Sequence, residues 1–293
     1  MQKPAGVDAI TVARCVTRMR ARAPLVQCIP NIVAAEITAN VLLAAGAAPA
    51  MVIGIDEAPE FAAGKATALS INCGALTQPS FASMRATAAA AVASDRKPAW
   101  VLDPVACGGT AHRTAACREL LALHPTVVRA NASEILSLAG VQGAKGPRGV
   151  DAADAAEAAL PTAAALAREH GNMVVVITGP TDYVTDGTAT LAVRGGAVEV
   201  TRVTGTGCAL SALMVAFVAC ASGSGDDGLG PLEYAAACCA FYKACSATAA
   251  AGCPGPGSFK VRLLDALAMA EAAIAEAATS ATIAVTAVAT PSG

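Results

Sequence analysis

The sequence is poor in aromatic and charged side chains, and it contains no basic block. Aromatic residues make up 3% and charged residues 14% of the 293 positions, and the formal net charge is −2. Because proteins that bind nucleic acid present clustered lysine and arginine, nucleic acid is not expected as a main partner. Alanine supplies much of the 55% hydrophobic content, so the chain is expected to bury a large core of closely packed helices and sheet.

The cysteine and histidine patterns of zinc sites and disulfide frameworks are also missing. The eleven cysteines are odd in number and include no Cys-x-x-Cys pair, and only three histidines are present. No zinc-binding spacing can be assembled from them. Residues 1–4 contain no apolar signal region, which argues against secretion. A reducing cytoplasmic compartment fits these features best.

One uncharged run raises the question of a membrane segment. Residues 203–225 carry no charge and are about long enough to span a bilayer. The run begins, however, with a loop rich in threonine and glycine, and it contains several small polar residues. We therefore predict a buried core helix here and no membrane partner.

The start of this run is a candidate anion site. Residues 196–203 are predicted to form a strand, and apolar residues recur at helical spacing from 209 to 220. Gly205 and Gly207 allow the backbone to approach a ligand closely. The first N–H groups of the helix lack internal partners and lie at the positive end of its dipole, where phosphate commonly binds. The motif lacks the Gly-Lys-Ser/Thr ending of a Walker loop and the third glycine of a dinucleotide fingerprint.

Cys208 lies in the first turn of the same predicted helix. A helix N-terminus lowers the pKa of a thiol, which makes Cys208 a candidate reactive group. The alternative is a buried cysteine that acts as a small hydrophobic residue. The local sequence leaves both interpretations open.

The remaining pattern predicts an α/β layer fold. Short apolar strands alternate with helices, which indicates a mostly parallel sheet. No linker or repeat divides the chain, so residues 1–293 are predicted to form one domain, with a frayed tail from about 280 to 293. Residues 183–188 are predicted to form a hairpin with an Asp-Gly turn, and 142–151 a surface loop. The other predicted strands cover residues 24–29, 48–53, 66–72, 99–102, 126–129 and 173–178. The predicted helices cover residues 8–22, 32–45, 57–64, 79–95, 114–123, 131–139, 152–170, 231–251 and 258–279, besides the one after 208.

Several polar residues follow directly on predicted strands. In open parallel sheets, ligands bind beyond the carboxyl ends of the strands. Asp103 stands at such an end and could hold Mg²⁺ directly or through water, or it could simply be a turn aspartate before proline. Thr178 could donate its hydroxyl to a phosphate oxygen. Asn31 and Met51 could line a small apolar pocket with one polar contact, although an isolated methionine is more often a core residue.

A second group of polar residues surrounds a predicted helix start. Asn131 and Glu134 have the spacing of a capping box, which accounts for both residues by itself. In the functional alternative, Arg129 binds a phosphate and Glu134 orders water bound to Mg²⁺. The sequence does not decide between the two.

Taken together, these motifs resemble the hydroxyethylthiazole kinase family of the ribokinase-like superfamily. The similarity runs in order along nearly the whole chain, and its most specific motif is Gly205-Thr206-Gly207-Cys208, because many superfamily relatives carry aspartate in place of this cysteine. The other motifs are Pro24-Leu25-Val26, Thr38-Ala39-Asn40, Gly46-Ala47-Ala48-Pro49-Ala50-Met51, Leu102-Asp103-Pro104-Val105, Asn131-Ala132-Ser133-Glu134-Ile135 and Gly255-Pro256-Gly257-Ser258-Phe259.

The resemblance implies a three-layer α/β/α sandwich and a reaction. ATP would transfer its γ-phosphoryl group to the primary hydroxyl of 4-methyl-5-(2-hydroxyethyl)thiazole, with Mg²⁺ as cofactor, in thiamine salvage. The family also implies a homotrimer with active sites between subunits. By the same resemblance, Cys208 stands near the substrate hydroxyl, in the place of the superfamily's catalytic base. The other implied roles are ATP binding by Arg129, Thr178 and Gly207, thiazole binding by Met51, Gly205 and Asn31, and proximity to Mg²⁺ for Asp103 and Glu134.

The chain departs from the family pattern at a few positions. Of the usual His-x-x-Thr-Asn after the first strand, only Asn31 is kept, and Gln27 and Pro30 replace the histidine and threonine. Ala130 replaces a glycine, and Pro180 replaces a glutamate. These changes motivate the alternative of a catalytically weakened protein that binds thiazole and ATP. A related small-alcohol kinase, of the hydroxymethylpyrimidine type, is a second alternative. A cysteine hydrolase is a third, but no histidine lies in a motif that could provide its base.

Overall fold

The computed structural model describes residues 7–141, 152–221, 228–269 and 284–291. Within these ranges the strands are β1 (Leu25–Ile29), β2 (Ala48–Ala50), β3 (Ala68–Asn72), β4 (Ala99–Asp103), β5 (Val127–Asn131), β6 (Val174–Thr178), β7 (Thr181–Thr185), β8 (Thr190–Arg194) and β9 (Ala284–Val288). They form one sheet in the order β2-β1-β3-β4-β5-β6-β7-β8-β9. Strands β1 to β6 are parallel, and β7 to β9 join one edge in antiparallel pairs.

Helices cover both faces of the sheet. The described helices are α1 (Ala9–Arg22), α2 (Ala35–Ala45), α3 (Ala58–Gly64), α4 (Gln78–Ala93), α5 (Ala111–Leu121), α6 (Ala132–Ala139), α7 (Ala152–Ala158), α8 (Leu160–Glu169), α9 (Thr206–Val218), α10 (Pro231–Ala250) and α11 (Pro256–Ala268). One face of the sheet packs against α1, α2, α9, α10 and α11, and the other packs against α3 to α8. The three-layer α/β/α arrangement with a mostly parallel sheet is therefore confirmed.

The central strands show why this sequence forms a sheet that is buried on both faces. In β6, Val174 and Val176 join the core on one side, whereas Val175 and Ile177 join the core on the other. A run of β-branched residues suits such a strand, because successive side chains point to opposite faces. The helix layer over the first face is equally apolar, and Phe217 of α9 stacks on Phe241 of α10 with ring centroids 5.8 Å apart. This packing fixes α9 against the sheet.

None of the described helices is long and apolar enough to cross a membrane. The uncharged run that begins at residue 203 instead contains α9, of which nearly every residue from Ala209 to Val218 is buried in the core. The sequence-based prediction of a core helix is confirmed.

The structure corrects several predicted elements. The predicted strand 196–203 is a 3-10 helix, Val198–Arg202, because the backbone leaves extended geometry at Gly195 and Gly196, where φ is +108° and +88°. The predicted helix 152–170 is interrupted between α7 and α8, where Pro161 has no N–H to continue the helical hydrogen bonds. Strand β2 is shorter than predicted and ends at residue 50.

The predicted frayed tail is also wrong for part of its length. Residues 284–288 form β9, which pairs antiparallel with β8, so the polar backbone groups along that edge of β8 gain partners. The hairpin of β7 and β8 is confirmed, with Gly187 in its turn at a φ of +84°. The predicted loop 142–151 and the end of the predicted helix 258–279 lie outside the described residues.

Candidate active site

The carboxyl ends of the parallel strands bring several polar residues to one edge of the sheet. Pairing sets Asn72 of β3 beside Asp103 of β4, and Asn131 of β5 beside Thr178 of β6. Asn31 follows β1 at the same edge. The first turns of α9 face this edge, because Ser211 of α9 donates its hydroxyl to Asp103 at 2.8 Å. These strand ends and α9 together form the candidate active site.

Glycine at position 205 is required by the way α9 begins. Gly205 caps the helix with a φ of +86°, and a Cβ there would lie 2.7 Å from Cγ2 of Ile37 and 3.1 Å from Cβ of Ala34. Both the left-handed backbone and the close packing on α2 exclude a side chain. Thr206 secures the same turn, since its hydroxyl donates to the carbonyls of Val200 at 2.7 Å and Val203 at 3.0 Å. The first N–H groups of α9, which have no partner within the helix, are thus held in a fixed position.

Arg129 lies between the start of α9 and the end of β6. Its Nη2 donates to the hydroxyl of Thr178 at 2.9 Å, and its Nη1 is 3.9 Å from the Asp103 carboxylate. A Cβ on Gly207 would come within 3.1 Å of both terminal guanidinium nitrogens. The guanidinium therefore rests directly on the backbone of Gly207. The three residues to which the family resemblance assigns ATP binding, Arg129, Thr178 and Gly207, thus lie together.

Asp103 is nearly fully buried, with 1% of its surface exposed. Its Oδ2 accepts hydrogen bonds from Nδ2 of Asn72 at 2.7 Å and from Ser211. Its Oδ1 has no hydrogen-bond partner among the described residues. Burial raises the pKa of Asp103 to about 6, an effect that Arg129 opposes and Glu134 reinforces. One carboxylate oxygen is thus fixed in place by two hydrogen bonds, and the other is buried without a partner in the described part of the chain.

Glu134 forms the capping box that the sequence predicts. Its Oε2 accepts from the N–H of Asn131 at 2.9 Å, and Oδ1 of Asn131 accepts from the N–H of Glu134 at 2.9 Å. Its second oxygen, Oε1, accepts from the N–H of Ala106 at 2.7 Å. Glu134 therefore also anchors the loop that follows Asp103. Both of its oxygens accept backbone N–H groups, unlike the free oxygen of Asp103.

Cys208 belongs to a chain of hydrogen bonds that leads back to Asp103. Nδ2 of Asn31 lies 3.4 Å from the Cys208 sulfur and donates to Oδ1 of Asn72 at 2.8 Å, and Asn72 in turn donates to Asp103. Burial and the Asp103 carboxylate raise the pKa of the Cys208 thiol, although Asn72, Arg129 and Asn31 oppose this. The expected lowering of this pKa is therefore wrong. The physical reason is that loss of water around the thiolate outweighs the polar groups nearby.

The residues predicted for the thiazole pocket are only partly brought together. Asn31 bonds to Cys208, and Gly205 precedes Cys208 by three residues. Met51 follows β2, the strand next to β1, and its half-buried side chain packs against the core. Gln27 of β1 holds the segment after Met51, since its Nε2 donates to the carbonyls of Val52 at 3.1 Å and Ala58 at 3.0 Å.

Sequence reasoning missed two residues of this site, Asn72 and Ser211. Asn72 ends a buried apolar strand, which is the same signal that singled out Asp103, and the rule for strand ends could have found it. Ser211 lies one helical turn beyond Gly207 and is completely buried. A buried serine within an apolar helix carries no pattern of its own, so only its contact with Asp103 reveals it.

Known proteins resemble this chain over most of its length. A sequence model described as the Hydroxyethylthiazole kinase family matches residues 16–272. A hydroxyethylthiazole kinase of Klebsiella pneumoniae is 51% identical over 249 residues, which are 85% of this chain and 91% of that protein. A hydroxyethylthiazole kinase of Shigella flexneri is 49% identical over 244 residues, which are 83% of this chain and 88% of that protein.

Solved structures agree with the sequence comparisons. The structure of a hydroxyethylthiazole kinase protein from Pyrococcus horikoshii OT3 is 34% identical, with a TM-score of 0.80, and the match covers 95% of this chain and 99% of that one. A pyridoxal kinase from Staphylococcus aureus, solved with AMP-PCP and pyridoxal, has a TM-score of 0.56 at 17% identity over 77% of this chain and 87% of that one. The second likeness concerns the fold alone, and the ribokinase-like fold that the motifs imply is confirmed. The chain belongs to the hydroxyethylthiazole kinase family.

Proposed function

We propose that the protein transfers the γ-phosphoryl group of ATP to the primary hydroxyl of 4-methyl-5-(2-hydroxyethyl)thiazole. The observation that carries this proposal is that the residues proposed to bind phosphate and those proposed to bind the alcohol both lie at the start of α9. Arg129, which donates to Thr178, lies against Gly207, and Asn31 lies beside the next residue, Cys208. A phosphate donor held at Arg129 and an alcohol acceptor held at Cys208 would therefore meet at the same helix N-terminus.

The phosphate side is built for positioning and for charge stabilisation. In phosphoryl transfer the transition state is loose, with negative charge spread over the transferring oxygens, so fixed donors lower the barrier. The N–H groups at the start of α9 and the guanidinium of Arg129 supply such donors. Arg129 is held by Thr178 and by Asp103, so its position is set before ATP binds. Thr178 and Gly207 would complete the contact with the ATP phosphates.

On the acceptor side, Cys208 is proposed to contact the hydroxyl of the thiazole alcohol. Because its pKa is raised, the sulfur is a neutral thiol near neutral pH rather than a thiolate base. A loose transition state requires little proton removal before phosphoryl transfer. Cys208 would therefore orient the hydroxyl, with Asn31 fixing the sulfur. Met51 and Gly205 are proposed to line the thiazole pocket.

Asp103 fits a role in holding Mg²⁺. Its Oδ1 is buried and has no partner among the residues that the structure describes, and Mg²⁺ is commonly bound by one or two carboxylates together with water and substrate phosphates. Asp103 would hold the ion directly or through water, and the ion would supply positive charge to the ATP phosphates. Glu134, whose oxygens accept two backbone N–H groups, would act nearby by fixing the loop after Asp103.

Three of the four departures from the family pattern, Gln27, Ala130 and Pro180, make contacts within the fold, and none of them replaces a proposed site residue. Gln27 is buried and supports the segment after Met51. Ala130 is completely buried, and its carbonyl accepts from Thr178 at 3.3 Å. The carbonyl of Pro180 accepts from Lys243 at 3.1 Å. These contacts favour an active enzyme over a weakened binding protein.

A homotrimer with active sites between subunits is proposed as the working assembly. Two loops at the candidate site expose large apolar side chains: Ile32 and Val33 after β1 are 84% and 67% exposed, and Ile53 and Ile55 after β2 are 42% and 47% exposed. Contiguous exposed apolar side chains mark protein interfaces, and a subunit contact at these two loops would bury all four side chains. Light scattering coupled to size-exclusion chromatography tests the assembly. We also propose a cytoplasmic location, where ATP is available and free thiols persist.

The test of the function is an ATP-dependent phosphorylation assay with three conditions. The thiazole alcohol should give a phosphate ester, whereas a hydroxymethylpyrimidine should give little, and ATP alone should give no phosphate ester. A preference for the pyrimidine would replace the proposed substrate. Binding of both ATP and the thiazole alcohol without any ester would favour the weakened binding protein.

A further inference from the structure

Two adjacent residues of α10 reach both sides of the proposed phosphate site. Helix α10 lies in the core, and Tyr242 and Lys243 are only 5% and 9% exposed. Lys243 extends toward the turn after β6, and Tyr242 extends toward the first turn of α9. Neither residue is part of any motif singled out in the sequence.

Lys243 holds the turn that follows Thr178. Its ammonium group donates to three carbonyls, those of Gly179 at 3.1 Å, Pro180 at 3.1 Å and Gly195 at 3.3 Å. Its Nζ is also 3.4 Å from Oδ2 of Asp182, and Oδ1 of Asp182 accepts from the N–H of Gly179 at 2.9 Å. The turn is thus held from its carbonyl side by the lysine and from its amide side by the aspartate.

Tyr242 holds the opposite side of the site. Its hydroxyl donates to the carbonyl of Thr206 at 3.0 Å. Thr206 begins α9 and directly precedes Gly207, on which the guanidinium of Arg129 rests. Helix α10 therefore contacts the backbone next to Thr178 and the backbone next to Gly207. Thr178 and Gly207 are the two residues that the Arg129 guanidinium contacts.

Stability alone does not account for a charge at position 243. Burial of an ion pair is expensive, and apolar side chains of similar volume often stabilise a protein as well or better. Burial raises the pKa of Asp182, and Lys243 is the main group that opposes the rise. What the lysine adds over an apolar residue is a specific geometry for three backbone carbonyls.

We propose that Lys243 and Tyr242 are positioning residues of the phosphate site. Through the turn at Gly179 and the first turn of α9, they set the separation of Thr178 and Gly207 and thereby fix Arg129 for the ATP phosphates. The inference rests on the proposed function in one respect, namely that nucleotide phosphates occupy this site.

The test compares ATP binding with stability in five variants. The dissociation constant of ATP is measured by calorimetry, and melting temperatures are recorded for the same samples. Lys243→Met should weaken ATP binding roughly tenfold, because it removes hydrogen bonds donated by a charged group. Tyr242→Phe should weaken ATP binding roughly threefold, because it removes one hydrogen bond between neutral groups. In steady state the KM for ATP should rise in parallel, while the KM for the thiazole alcohol stays within about twofold of the wild-type value.

A double variant separates positioning from stability. Asp182→Asn or Lys243→Met alone leaves one buried charge unpaired, which should lower the melting temperature, whereas combining them removes both charges. We expect the double variant to regain melting temperature and still bind ATP weakly. Met84→Ala, in the helix layer on the other face of the sheet, should lower the melting temperature without changing ATP binding.

Two results would overturn the inference. One is wild-type ATP affinity in Lys243→Met, with only the melting temperature lowered. The other is an ATP affinity that recovers together with the melting temperature in the double variant. If the wild type binds ATP but does not phosphorylate the thiazole alcohol, the proposed substrate fails, and the comparison of ATP affinities still decides the role of Lys243.

Discussion

Gly207→Ala is expected to weaken ATP binding without destabilising the fold. The added Cβ would lie 3.1 Å from Nη1 and Nη2 of Arg129, which is a few tenths of an ångström too close, so the guanidinium must move. The bond from Nη2 to Thr178 is 2.9 Å long, and a shift of that size weakens it. Loss of a hydrogen bond to a charged group corresponds to about 1.5 kcal/mol or more, which is about a tenfold change in affinity.

The free energy of unfolding of Gly207→Ala should stay the same or rise, although its affinity for ATP falls. Gly207 lies in the first helical turn, where its φ is not positive, and alanine is preferred over glycine in helices by up to about 1 kcal/mol. The assay is the KM and dissociation constant of ATP together with urea unfolding. Gly257→Ala is the matched control, since Gly257 is likewise the second residue of a helix and a Cβ there meets nothing within 4 Å. A Gly207→Ala enzyme with wild-type ATP affinity, or with a large loss of stability, would refute the reasoning.

Three further substitutions or treatments test other parts of the site. Gly205→Ala should lower the free energy of unfolding, measured in urea, by about 2–4 kcal/mol. The alanine would have to adopt a left-handed backbone conformation, and its Cβ would lie too close to Ile37 and Ala34. Cys253→Ala removes the other partly exposed cysteine, so that iodoacetamide reports on Cys208. In this variant, Cys208 should be alkylated more slowly at pH 7.5 than glutathione is, because the pKa of Cys208 is raised. Faster alkylation would contradict a raised pKa. Glu134→Gln should lower stability by about 1–2 kcal/mol, since it weakens the capping box and the bond to Ala106, and unchanged thermal melting would exclude this anchoring role.

Much of the site could be predicted because parallel strands place their carboxyl ends at one edge. Asn31, Asp103 and Thr178 each follow a short apolar run, and the sheet does bring these ends together. The alternation of strands and helices similarly predicted the layers and most element boundaries. In both cases the information is local, because it depends on residues a few positions apart.

What could not be predicted depends on contacts between distant parts of the chain. Ser211 acquires its role from Asp103, and Lys243 acquires its role from Gly179, 64 positions away. The raised pKa of Cys208 also depends on distant parts of the chain. The sequence shows that Cys208 lies at a helix start, but it does not show the burial that is the main cause of the raised pKa. Strand β9 depends on the free edge of β8, which a pattern within residues 284–288 cannot reveal.

The central claim is tested most directly by ATP-dependent phosphorylation of 4-methyl-5-(2-hydroxyethyl)thiazole, with product detected by mass spectrometry. Wild type and Cys208→Asp should form the phosphate ester, since Cys208 is proposed to orient the hydroxyl and aspartate can do the same. Arg129→Ala should lose nearly all activity, because it removes the charge that is proposed to face the ATP phosphates. A wild type that binds thiazole and ATP yet forms no ester, or an Arg129→Ala enzyme with wild-type turnover, would contradict the account.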